Sequence, residues 1–133
     1  QAPWSKKVGF YKGPVHDPGK PIQEKDLVGY EEEQIKSLSE DNGEYSKEYM
    51  ASKMANAIAI AKEHGLQLYC GEFGSYPTTN EDDRLKWYHD MISIFQENDI
   101  AWANWDYKGG FGVVDSEGEP QENLVKTLME KAK

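Results

Sequence analysis

A repeated switch of periodicity constrains this chain more than any other feature. From residue 45 onward, apolar residues recur at helical spacing, then in a short continuous run, then helically, then in a second run, then helically again. Met50, Met54, Ala57, Ile58 and Ala61 form one stripe over residues 45–64, with Lys47, Lys53 and Lys62 off it and Gly65 placed to cap the C-terminus. Leu66 to Cys70 reads as a strand. A second helix runs to about Glu97, entered through a capping box of Thr78 with Glu81. Leu85, Tyr88, Ile92 and Phe95 should point inward, with Trp87, Met91 and Ile94 flanking. Ile100 to Asp106 reads as a second strand, Lys108 to Gly112 as a glycine-rich loop. After Pro120 a last helix carries Leu124, Val125, Leu128 and Met129. Such alternation implies parallel strands joined by crossover helices. Two strands are too few for a parallel sheet buried on both faces. The expected fold class is therefore α/β, and the chain reads as one piece of a larger sheet or barrel.

Length agrees with that reading. At 133 residues the chain allows one domain but not a complete TIM barrel, which needs at least about 200 residues. Residues 1 to about 44 are punctuated by Pro3, Pro14, Pro18 and Pro21 and by Gly9, Gly13 and Gly19. They read as a long loop region, with Glu31-Glu32-Glu33 as a solvated face of a short helix around 24–39. The chain opens on Gln1-Ala2-Pro3-Trp4 without an initiator Met or a visible signal peptide, so a segment upstream is expected.

Composition removes whole classes of function. Fifteen Lys and Arg stand against 24 Asp and Glu, a net charge of −9. Nucleic acids and anionic membrane surfaces both require the opposite excess. No stretch approaches the roughly 20 apolar residues of a membrane span. Aromatic residues make up 12% of the chain, too many for a disordered one. The single cysteine, Cys70, excludes an intrachain disulfide and, lying in an apolar run, reads as a buried, inert thiol.

In α/β sheets and barrels, reactive groups sit just past the C-terminal ends of strands. Glu72 follows the first strand between Gly71 and Gly74, and Asp106 ends the second. Glycines beside a carboxylate permit close approach of a ligand; the plain alternative is a solvent-facing loop acid. Trp105, Tyr107 and Phe111 crowd the end of the second strand, and Tyr76 follows the first. Flat aromatic faces beside carboxylates suit sugar rings, whose C–H faces stack while their hydroxyls hydrogen-bond. Trp87 and Trp102 read instead as core. Trp102 and Trp105 are three apart, so they should point to opposite sides of the strand. His16, His64 and His89 show no metal spacing, and no phosphate loop or nucleophile elbow is present.

Four motifs together resemble a known family. They are Tyr69-Cys70-Gly71-Glu72-Phe73-Gly74, Asp83-Arg84-Leu85-Lys86-Trp87, Trp102-Ala103-Asn104-Trp105-Asp106-Tyr107, and Gly110-Phe111-Gly112-Val113 with Asp115 after it. They are similar to the last part of glycoside hydrolase family 5 cellulases, best from 66 to 115 and weakest from 5 to 44. Gln1-Ala2-Pro3-Trp4 is similar to the tail of the family's stretch after strand six. The resemblance implies the C-terminal portion of a (β/α)8 TIM barrel, about strands seven and eight with their helices. Residues 1–133 would then be a partial catalytic domain, with 1–44 the loop region after strand six and 45–133 the helix-strand-helix-strand-helix unit. It also implies that Glu72 is the nucleophile. Trp105 would floor the subsite of the attacked sugar, Trp4 would line the leaving-group side, and Tyr76 and Tyr107 would join the substrate-binding aromatics. Asp106 matches a position that is often acidic but not catalytic, and Asn104 stands where an aromatic is common.

The family's acid/base Glu lies in an Asn-Glu-Pro motif, and none occurs here: Asn80-Glu81 is followed by Asp82. The implied function is the nucleophile-bearing part of a retaining endo-β-1,4-glucanase-like hydrolase acting on plant-type β-glucan. The substrate class spans cellulose, mixed-linkage glucan, xyloglucan and mannan. The acid/base would come from an upstream segment or a second chain. No cofactor or metal is called for. The alternative is a catalytically incomplete piece that binds glycan or serves structurally, and a further one makes Asp106 the second carboxylate. The expected partners are an oligosaccharide substrate and the missing barrel portion, in cis or as another chain, or further copies of itself. A polymer substrate implies a secreted or periplasmic enzyme.

Overall fold

Local signals at both ends delimit the longest helix. Helix α2, Lys47–His64, starts where the Ser46 side chain accepts a hydrogen bond from the Tyr49 amide and stops where Gly65 turns left-handed at φ 63°. The Leu66 amide then closes onto the Ala61 carbonyl at 2.8 Å. In the computed structural model, residues 23–39, 45–75 and 80–130 are described. Before α2, the expected short helix is present in two pieces: a 3-10 turn at Glu24–Leu27 and helix α1, Glu32–Ser39. Strand β1 is Tyr69–Phe73, helix α3 is Glu81–Glu97, strand β2 is Ala101–Asn104 and helix α4 is Glu122–Met129.

The two strands are parallel neighbours, pairing Tyr69 with Ala101, Cys70 with Trp102, and Phe73 with Asn104. Three residues advance on β1 while two advance on β2, so β1 bulges between Cys70 and Phe73. Three boundaries differ from expectation, and one is that of β2, which runs Ala101–Asn104 and so stops two residues before Asp106. β1 lies about three residues later than the apolar run, because the bulge carries pairing through Gly71, where the run ends. The cap of α3 is Asn80 rather than Thr78, its side chain accepting from the Asp82 and Asp83 amides.

The helices cover one face of this sheet. Phe73 lies at the centre of that layer, its ring 5.1 Å from Phe95, 5.2 Å from Trp102, 5.7 Å from Tyr88 and 6.1 Å from Trp87. Tyr88, Ile92, Ile94, Phe95, Met91, Met50, Ile100 and Leu124 complete the buried cluster around it. Trp87 and Trp102 pack against it half-buried, as expected of core-side tryptophans. The terminal helix departs from expectation: Leu124 is buried, but Val125 and Met129 are exposed, so its inward face is narrower than its apolar residues suggest. Cys70 is half-buried rather than buried.

Candidate active site

The bulge decides where the carboxylate goes. Cys70 and Phe73 both pack toward the helices, although strict alternation would put residues three apart on opposite faces. The extra residue absorbs that mismatch and leaves Glu72 exposed on the open face. Trp105 arrives beside it from β2. Its amide donates to the Phe73 carbonyl at 2.8 Å, the peptide next to Glu72. Trp102 and Asn104 pair with the helix-facing residues of β1, so Trp105 takes the other face and is 50% exposed. Tyr107, two residues on, is also exposed. Glu72, Trp105 and Tyr107 therefore gather at the C-terminal ends of the two strands. Trp4 and Tyr76 lie outside the described residues.

Close packing holds the strand ends together. A side chain on Gly74 would run into the Trp105 carbonyl oxygen and come within 3.4 Å of the Tyr88 hydroxyl. The Trp105–Asp106 peptide bond is cis. Asp106 is half-buried, with its carboxylate against Gly109 of its own loop, and its Oδ1 is buried without a hydrogen-bond partner among the described residues. That packing ties Asp106 into the loop after β2 and weighs against a second catalytic carboxylate there. Burial pushes the Cys70 thiol above its ordinary pKa, opposed by a backbone hydrogen bond at Glu72. The reactive thiolate is correspondingly disfavoured.

Behind these residues runs a polar network to which the sequence reading assigned no role. Arg84 is buried on α3. Its Nε donates to the Ser75 carbonyl at 3.2 Å and its Nη1 to Gln121 Oε1 at 2.8 Å. Gln121 Nε2 donates in turn to the Gly112 carbonyl at 2.7 Å. Ser75 is buried too, and its amide donates to the Tyr88 hydroxyl at 3.1 Å. A signal for Arg84 was available: it stands four residues before Tyr88 on the same inward stripe, where a charge is out of place.

The sequence pattern of the cellulase family, glycosyl hydrolase family 5, matches residues 23–110. The chain belongs to glycosyl hydrolase family 5. Endoglucanase C of Acetivibrio thermocellus is 29% identical over 130 residues, covering 96% of this chain and 38% of that protein. Cellodextrinase A of Ruminococcus flavefaciens is 31% identical over 61 residues, 46% of this chain and 18% of that protein. Among solved structures, a hyperthermophilic endo-β-1,4-glucanase in complex with substrate superimposes with a TM-score of 0.59 at 26% identity, over 64% of this chain and 28% of that one. Endoglucanase Cel5A of Thermotoga maritima gives a TM-score of 0.60 at 22% identity, over 77% and 34%. These family 5 barrels match the present fold over part of their own length, so the chain is a partial α/β barrel. It spans 38% of the length of the family 5 endoglucanase it matches along almost its whole extent.

Proposed function

We propose that this chain carries the nucleophile of a retaining β-glycoside hydrolase of the endo-β-1,4-glucanase type, with Glu72 as that nucleophile. One observation carries the reading. The hydrogen bond from the Trp105 amide to the Phe73 carbonyl joins the C-terminal ends of two parallel strands, one carrying an exposed carboxylate at Glu72 and the other leading into an exposed tryptophan at Trp105.

In this mechanism a Glu72 carboxylate oxygen attacks the anomeric carbon, and the glycosidic oxygen departs with the bonding electrons. A second carboxyl group, about 5–5.5 Å from the first, protonates the departing oxygen. It then takes a proton from water, which hydrolyses the glycosyl ester and frees Glu72. Trp105 stacks on the sugar under attack, and Tyr107, Tyr76 and Trp4 are assigned to substrate binding by the family resemblance. Asp106 is packed into its own loop, so the second carboxyl group is assigned to polypeptide beyond these residues, in cis or on another chain. The substrate is a β-glucan too large to cross a membrane, which places the enzyme in the secreted or periplasmic space.

The test replaces Glu72 in the complete enzyme. Glu72→Gln keeps the shape and removes the nucleophilic charge. Turnover of a soluble β-glucan should fall by at least about 10⁴-fold, in the range seen when a catalytic triad residue is removed, while calorimetry with cellohexaose retains its binding heat. Retained turnover would sink the assignment. Binding without turnover in the unmodified enzyme would leave a sugar-binding piece only.

A further inference from the structure

The loop that follows Glu72 is anchored from behind. Both backbone polar groups of Ser75, three residues beyond Glu72, are taken by side chains of α3: its amide by the Tyr88 hydroxyl at 3.1 Å, its carbonyl by Arg84 Nε at 3.2 Å. Ser75, Tyr88 and Arg84 are 7%, 0% and 6% exposed. On the near side, the Phe73 carbonyl is taken by the Trp105 amide. Glu72 therefore sits just ahead of two fixed points, and the outer one depends on a buried guanidinium.

The same guanidinium reaches the loop after β2. Its Nη1 donates to Gln121 Oε1, Gln121 Nε2 donates to the Gly112 carbonyl, and the Gln121 amide donates to the Val113 carbonyl at 2.8 Å. The Val113 amide bonds back to the carbonyls of Asp106 and Tyr107 at 3.1 and 3.0 Å. The circuit closes through Trp105 and Phe73. Gln121 stands at the N-cap of α4 yet makes no side-chain capping bond, so its amide is spent on this bridge. A guanidinium is always protonated and offers its donors in a rigid planar fork. Here two arms end on neutral oxygens of two different loops. Among the described residues Nη2 is buried without a hydrogen-bond partner, and the cation lies 5.7 Å from the Tyr88 ring. Burying an incompletely satisfied charge is costly. A bare structural link between two loops does not require one.

We propose that Arg84 is a positioning residue for catalysis, holding the end of β1 that carries Glu72 and the loop after β2 that carries Trp105 in the relative placement that attack requires. The inference rests on the nucleophile reading of Glu72. Arg84 contacts no substrate; it acts through Ser75 on one side and Gln121 on the other. Displacements of about 1 Å at a reacting centre can cost about a hundredfold in rate.

The experiment uses the complete enzyme and a 2-deoxy-2-fluoro-β-cellobioside with a dinitrophenolate leaving group. A Glu72 oxygen bonds to the anomeric carbon, dinitrophenolate leaves with the electron pair, and the fluorine slows release of the glycosyl ester. Peptide mass gives the site, and progress curves give the limiting labelling rate and the half-saturating concentration separately. In Arg84→Lys, which keeps the charge but not the fork, the limiting rate should fall about tenfold or more. The half-saturating concentration should stay within about threefold. Gln121→Leu, which cuts the circuit at its far end, should act in the same direction. A wild type that labels at Glu72, with folded Arg84→Lys and Gln121→Leu labelling equally fast, overturns the inference alone. A rate loss matched by an equal loss of affinity also overturns it, because the role is then general support of the fold. A wild type that does not label at Glu72 overturns the nucleophile reading, and this inference with it.

Discussion

Gly74 has no side chain because the neighbouring strand leaves no room for one. A methyl there would strike the Trp105 carbonyl oxygen, which is backbone and cannot rotate away. Gly74→Ala must therefore push β2 from β1 at the point where Glu72 and Trp105 meet. We expect a stability loss of about 1–3 kcal/mol, the range for over-packing, and a larger relative loss of turnover than of thermal stability. Thermal unfolding and glucanase rates on the same preparation check this; unchanged values for both would show that the strands separate freely. The glycine was noticed in the sequence as permitting close approach, and the close approach is to Trp105 rather than to a ligand. Glu72 and Trp105 were legible because strand ends and aromatic runs leave a local pattern. Arg84 was not assigned a role because its partners, Ser75 and Gln121, lie 9 and 37 residues away. No local period encodes such a bridge.

At the level of elements, helices were read more closely than strands. α2 and α3 announce themselves through apolar stripes many residues long, and α2 also through Gly65 at its C-terminus. β1 is five residues long and carries a bulge, and an apolar run cannot reveal where an extra residue enters. Away from the sheet, α2 and α3 are also joined by a surface contact: Lys47 Nζ bonds Glu97 Oε1 at 2.6 Å and Ser93 Oγ at 2.7 Å. The Lys47 hydrogen bond first, then that of Ser93, holds the Glu97 carboxyl below its ordinary value of 4.5. A carboxyl depressed in the folded state adds stability above its unfolded pKa and loses that contribution as pH falls through the folded one. The wild type should therefore melt slightly above Glu97→Gln at pH 7, and the gap should narrow as pH falls below the ordinary carboxyl range and close once it has passed the depressed folded-state value. Added salt should narrow it at any pH. A gap independent of both pH and salt would assign the contact to packing.

For the whole molecule, the two faces of the sheet are unequal. Phe73, Trp102 and Cys70 are covered by helices, while Tyr69 is 66% exposed and Trp105 50% on the opposite side. Leu66 and Val28 add further exposed apolar area, at 65% and 82%. β1 and β2 pair only with each other among the described residues, so each has an outer edge without a described strand partner. Such edges recruit other strands, and a parallel sheet is stable when both faces are buried. The 133-residue chain alone should therefore not persist as a monomer. Native mass spectrometry beside denatured mass distinguishes the outcomes. A larger polypeptide travelling with the 15.2 kDa chain would supply the missing strands, and with them a place for the second carboxyl group. Homo-oligomers would show the edges pairing with their own kind, leaving Glu72 without its partner acid. A cooperative, concentration-independent monomer would contradict the prediction, because Tyr69, Trp105 and both strand edges would then be stable against water unaided.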